Sequence, residues 1–81
     1  MNNGIIDIDI HGLNCYQAKI KLDSILKRNR GAYRIRVIHG YHNGTELKEM
    51  IRREYEKNPL VRRMIPGAND GITELILKEY F

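Results

Sequence analysis

The stretch Ile35-Arg36-Val37-Ile38-His39-Gly40-Tyr41-His42-Asn43-Gly44-Thr45 decides how this chain is read. Its first four residues are an apolar, β-branched run with arginine on the alternate side, the pattern of a strand. Gly40 and Gly44 then permit a tight turn with unusual dihedrals. Helical spacing begins near Glu46, with Thr45 as its N-cap. A strand, a glycine-containing turn and a helix start, in that order, present backbone N–H groups and a positive dipole end to an anion. Two of the chain's three histidines, His39 and His42, lie in this turn. The third, His11, ends a matching run: Ile8-Asp9-Ile10-His11-Gly12.

Outward from these two strand ends the rest of the chain falls into place. Ile6, Ile8 and Ile10 alternate with Asp7 and Asp9, so the isoleucines face a core and the acids the other side. Asp9 and His11 are two apart and share a face. Asn14 caps a first helix, and Gln17 completes a capping box. Ala18, Leu22, Ile25 and Leu26 make its apolar stripe, with Gly31 as its stop. A second strand spans 32–38. Leu47, Met50, Ile51 and Tyr55 give the apolar face of the second helix, Glu49 and Arg53 make an i,i+4 pair, and Asn58-Pro59 ends it. A third strand is expected over 60–65, a turn over 66–71 and a fourth strand over 72–77.

The order is β-α-β-α-β-β, an α/β (α+β) class with a mixed four-stranded sheet and two helices to cover it. Strand–helix–strand units of this length favour parallel pairing, and the last two strands read as a hairpin. Parallel first strands bring their carboxyl ends to one edge, outside which open α/β sheets bind ligands. That edge would hold Asp9, His11, His39, His42, two helix N-termini and, through a parallel third strand, the turn ending at Gly71.

With 81 residues the chain is one domain, 1–81, with a single small core. Its net charge of +4 admits nucleic acid, an anionic membrane or an acidic protein as partner. The single Cys15 makes an internal disulfide impossible and fits a reducing, cytoplasmic setting. Nothing resembles a signal peptide and no apolar run approaches transmembrane length, so no membrane is expected.

The residues suit proton transfer at a phosphodiester. Histidine gives and takes protons near neutral pH, a neighbouring carboxylate orients its ring, and glycine N–H groups hold a phosphate. No Ser or Cys accompanies the histidines at a strand end, and Cys15 sits inside a helix start, so acyl transfer is disfavoured. Asp9, His11, His39 and His42 are also donors of a type that binds metal, without the spacing of a metal motif. Tyr41 is either a base-stacking aromatic or a lid on the core. Lys19, Arg34 and Arg36 belong to basic faces that track a phosphate backbone or are simply solvated.

At these residues the chain resembles the Smr (small MutS-related) domain, over about Ile6 to Leu77. Ile8-Asp9-Ile10-His11-Gly12-Leu13 matches the family's Leu-Asp-x-His-Gly-Leu opening, and Ile38-His39-Gly40 the start of its second, His/Thr-Gly-x-Gly motif. Gly44-Thr45-x-Leu47 resembles the following Gly-x-Leu segment. Gly71-Ile72-Thr73-x-Leu75 resembles the closing Gly-x-Thr-x-Val strand. His42 stands where the second motif has its second glycine, and Asn69-Asp70 replaces part of a glycine-rich turn.

The resemblance implies a two-layer α/β sandwich similar to the C-terminal domain of bacterial translation initiation factor three. It also implies binding to RNA or DNA, with endonuclease activity in many members. Asp9 and His11 fall on the Asp-x-His catalytic motif, and His39 and Gly40 on the second motif. The expected roles are general base or acid for His11, an orienting carboxylate for Asp9, and a phosphate ligand or second acid for His39. Gly40, Tyr41, His42, Gly44, Thr45, Lys19, Arg34, Arg36 and Gly71 are the expected nucleic-acid contacts. No cofactor is fixed; a divalent ion, magnesium or manganese, is the candidate. The competing readings are a non-catalytic module for nucleic acid or a ribosomal surface, a metal-dependent hydrolase, and a protein-interaction domain.

Overall fold

Six elements follow one another as β1 (Ile5–Asp9), α1 (Cys15–Arg28), β2 (Arg34–Ile38), α2 (Glu46–Tyr55), β3 (Arg63–Pro66) and β4 (Ile72–Ile76). They come from a computed structural model that describes residues 4–40 and 45–78. The strands form one sheet in the order β1-β2-β4-β3. β1 and β2 are parallel, and β4 is antiparallel to both β2 and β3. β3 therefore runs the same way as β1 and β2. The carboxyl ends of these three strands and the start of β4 share one edge, as the sequence pattern requires.

Alternation along each strand sorts the two faces. Ile8, Ile10, Ile35, Val37, Leu75 and Leu77 are buried beneath the helices. α1 contributes Ala18, Leu22 and Leu26, and α2 contributes Met50, Ile51 and Tyr55. Burying such a side chain contributes about 1.5–3 kcal/mol, so this single layer of contact is the chief source of stability. The Tyr55 hydroxyl ties the helices together, donating to Asp23 Oδ1 at 2.6 Å. Burial and the Asp23 carboxylate push that phenol's pKa up.

The opposite face carries a row of cross-strand charges. Asp7, Arg36 and Glu74 are in register across β1, β2 and β4. Arg36 holds Asp7 with two hydrogen bonds, at 2.6 and 3.2 Å. Arg34 pairs with Glu74.

Several local expectations are corrected. The capping box of Asn14 and Gln17 is present, but α1 ends at Arg28, with Asn29 as its C-cap. Asn29 does this with its own side chain, which donates to the Ile25 carbonyl at 2.8 Å. Gly31 is not needed in a left-handed conformation there. Thr45 occupies the N-cap of α2 without a side-chain cap bond; its hydroxyl donates to Glu49 instead. Arg53 contacts Glu54, its chain neighbour, rather than Glu49. β3 starts three residues later than expected because Asn58 folds the chain into a turn, accepting from the Leu60 N–H at 2.8 Å. Pro66 belongs to β3, a position an edge strand tolerates. Gly67 packs where a Cβ would collide with the Ile72 side chain, so the β3–β4 turn requires glycine for space.

Candidate functional site

The shared edge is built first from backbone. Ile10 N–H donates to the Ile38 carbonyl at 2.9 Å, extending the β1–β2 pairing beyond Asp9. The chain then reverses at His11 and Gly12, closed by Leu13 N–H to the Ile10 carbonyl at 3.1 Å. Gly12 has φ +84°, a left-handed conformation that suits glycine. On the neighbouring strand, His39 and Gly40 N–H groups both donate to the Gly71 carbonyl, at 2.9 and 3.0 Å. This clamps the end of β2 to the start of β4.

Asp9 and His11 form the exposed centre of the edge. Oδ1 of Asp9 accepts from the His11 backbone N–H at 3.0 Å and also contacts His11 Nδ1. An ionised carboxylate only accepts, so Nδ1 carries the proton and Nε2 keeps its lone pair for another partner. The His11 side chain is 68% exposed. The hydrogen bond from the His11 ring, and then that from its backbone, hold the Asp9 carboxyl below the ordinary carboxylate range. Lys21 reaches from α1 to donate to the Asp9 carbonyl at 3.2 Å. It adds a cation that the sequence reading did not single out.

Gly40 abuts this pair. A Cβ there would lie 3.3 Å from His11 Cβ, and its φ is +75°. Gly40 therefore brings the end of β2 against His11 by having no side chain, while its N–H is committed to Gly71. Gly71 is similarly engaged, its N–H donating to Asn69 Oδ1 at 2.8 Å.

His39 is placed differently from His11. It is buried, with 5% of its surface exposed. Its Nδ1 lies 2.9 Å from the Gly40 carbonyl and its Nε2 lies 2.9 Å from the Thr73 hydroxyl. A carbonyl only accepts, so Nδ1 is protonated and the Thr73 hydroxyl donates to Nε2. Burial lowers the His39 pKa and the nearby Lys48 charge lowers it further, against an opposing pull from the Gly40 carbonyl. His39 is a neutral ring tying β2 to β4, with both nitrogens occupied. Lys48 is a part of this region that the sequence reading missed, and Thr73, quoted there in the closing Gly-x-Thr-x-Val motif, was given no role. The period-two run Ile35, Val37, His39 did carry the signal that His39 faces the core.

The other expected contacts separate. Thr45 starts α2 at this edge. Lys19 pairs with Asp23 at 3.0 Å and lies 5.5 Å from the Tyr55 ring centre, at the α1–α2 contact. Arg34 and Arg36 are engaged by Glu74 and Asp7 on the face away from the helices. Tyr41, His42 and Gly44 lie outside the described residues. The helix ends also differ: α1 has no acid in its first turn, whereas α2 has Glu46 and Glu49. The α1 end, next to His11, keeps more of its positive dipole.

Among the described residues no group of three His, Cys, Asp or Glu side chains converges as a metal site. Asp9 and His11 alone are a two-donor pair. Cys15 is free, and its thiol lies 3.7 Å from the Glu46 carbonyl, between the two helix starts. Among the described residues no helix is long and apolar enough to cross a membrane.

The fold has a solved counterpart. The chain is similar to the crystal structure of the Smr domain of Thermus thermophilus MutS2, with a TM-score of 0.83. The match covers 91% of this chain and 99% of that one at 22% identity. No curated protein matches the chain. The family model for the Smr domain matches residues 8–74, from the start of the Asp-x-His turn into β4. The chain therefore belongs to the Smr domain family, a nucleic-acid-binding and nuclease-related family.

Proposed function

We propose that the chain binds RNA or DNA at the carboxyl edge of β1 and β2 and cleaves a phosphodiester there. The observation that carries this reading is the Asp9–His11 pair. The carboxylate fixes the ring through Nδ1, leaving Nε2 on an exposed surface. In the proposed step Nε2 takes the proton of the attacking hydroxyl or water as that oxygen bonds to phosphorus. The bond from phosphorus to the leaving oxygen breaks, and the proton is returned to that oxygen. Asp9 stabilises the imidazolium formed between these events. Lys21 and the α1 start, which has no acid in its first turn, supply positive potential. His39 acts as a positioning residue: its bond to Thr73 and the paired amides on Gly71 hold Gly40 against His11.

A second reading, a binding module for nucleic acid or a ribosomal surface, is favoured by one observation. The His39 ring is turned into the core, which leaves a single exposed imidazole among the described residues of the edge. Both readings place the protein in the cytoplasm, in keeping with its free Cys15. The test is cleavage of labelled single-stranded RNA, structured RNA and nicked DNA, with magnesium or manganese and with EDTA. Cleavage that His11→Ala removes supports the nuclease. Binding without cleavage by both proteins supports the module.

A further inference from the structure

Beside the edge just described, α2 and the outer strand β3 enclose a groove of about 560 Å³. Its charge is one-sided. Lys48 and Arg52 enter from α2, Arg62 from the approach to β3 and Arg63 from its first position, and Glu56 is the one acid in the lining. Among the described residues, Lys48, Arg52 and Arg62 make no ion pair. Met64 and Pro66 give the groove an apolar wall.

The groove is continuous with the edge. Thr73 lines it, and the same Thr73 hydroxyl donates to His39 Nε2. Lys48 stands close enough to His39 for its charge to disfavour the imidazolium. Edge protection explains part of the pattern, since a short outer strand with arginines and a proline resists pairing with another chain. It does not explain Lys48 and Arg52, which face the strand from the helix across the groove. Cations entering from α2 and from the start of β3, beside the apolar surface of Met64 and Pro66, match a nucleic-acid strand with phosphates on one side and base faces on the other. A duplex hides its base faces, so the apolar wall favours an unpaired strand.

We propose that the α2–β3 groove binds the single-stranded segment flanking the phosphodiester at His11, its phosphates along Lys48, Arg52 and Arg62 and its bases against Met64 and Pro66. This rests on the nucleic-acid reading above and specifies its substrate as an unpaired strand.

The test is fluorescence anisotropy with the full chain, using labelled single strands of about 4 and about 12 nucleotides and a duplex of the longer length. A salt series is run for the parent, for Arg52→Ala/Arg62→Ala, and for Lys27→Ala/Arg28→Ala, which removes equal charge from the end of α1. Thermal melts establish that all three are folded. The parent should bind the longer single strand more tightly than the shorter strand or the duplex. The groove variant should lose that length advantage, with its salt slope reduced by about 1.4, two contacts at about 0.7 each. The α1 variant should keep both. A groove variant with the parent's slope, or equal losses in both variants, overturns the groove and leaves nucleic-acid binding at the edge standing. Tighter duplex binding overturns the single-strand assignment. A parent that binds no oligonucleotide overturns this proposal together with the reading beneath it.

Discussion

One carboxylate oxygen of Asp9 accepts both the backbone N–H and the ring of His11. The first bond makes the turn that ends β1, and the second sets the ring's tautomer and direction. A single side chain thus couples local folding to the proton-transfer geometry. The spacing is the reason: a carboxylate two positions before the histidine, at the end of the strand, reaches both groups.

Asp9→Asn separates these duties. Asparagine still offers Oδ1 to the His11 N–H, so the turn and the melting temperature should hold. The negative charge opposite the imidazolium is lost, and kcat should fall roughly 100-fold with KM little changed. Steady-state kinetics on a labelled oligonucleotide checks this. Unchanged kcat would remove Asp9 from the chemistry.

His39 predicts an acid sensitivity of the fold. Its pKa is lowered in the folded chain, so the unfolded chain binds the proton more readily. The stability contributed by the neutral ring is complete above the unfolded value of about 6.5 and is lost as pH falls toward the folded value. The loss is at most about 1.4 kcal/mol per pH unit for one proton. Urea unfolding across this range should show a steeper decline for the parent than for His39→Gln. Parallel curves would mean that His39 is not the group responsible.

Gly40→Ala tests the contact with His11. The new Cβ would meet His11 Cβ at 3.3 Å in a backbone of φ +75°. The left-handed conformation costs an L-residue about 1–2 kcal/mol, so the melting temperature should drop by roughly 4–15 °C. Cleavage assayed well below the new melting point should drop further than the lost folded fraction explains, because His11 is displaced. Full activity in the folded variant would show that Gly40 only serves the turn.

Much of this arrangement was legible in the sequence. The parallel β1–β2 pair followed from the strand–helix–strand spacing, and Asn14 with Gln17 marked the start of α1. Asp9, His11 and Gly40 came together because strand ends in parallel register must. What was not legible depends on pairing across the chain. That β4 lies between β2 and β3 fixes Glu74 beside Arg34, while the β1–β2 register sets Asp7 beside Arg36. These pairings engage two of the expected phosphate contacts, Arg34 and Arg36, in cross-strand ion pairs. Thr73 became a partner of His39 for the same reason. The start of β3 was misjudged because the Leu60–Ile65 run is apolar enough for a strand, while Asn58 captures its first N–H in a turn.

The measurement that tests the account most directly is cleavage by the parent and by His11→Ala, with binding measured on the same labelled substrates. His11→Ala should lose 100-fold or more of the cleavage rate, roughly the contribution of one general acid–base group, and bind within about twofold of the parent, since the groove and Lys21 remain. Parent cleavage undiminished in His11→Ala would contradict the role assigned to the Asp9–His11 pair.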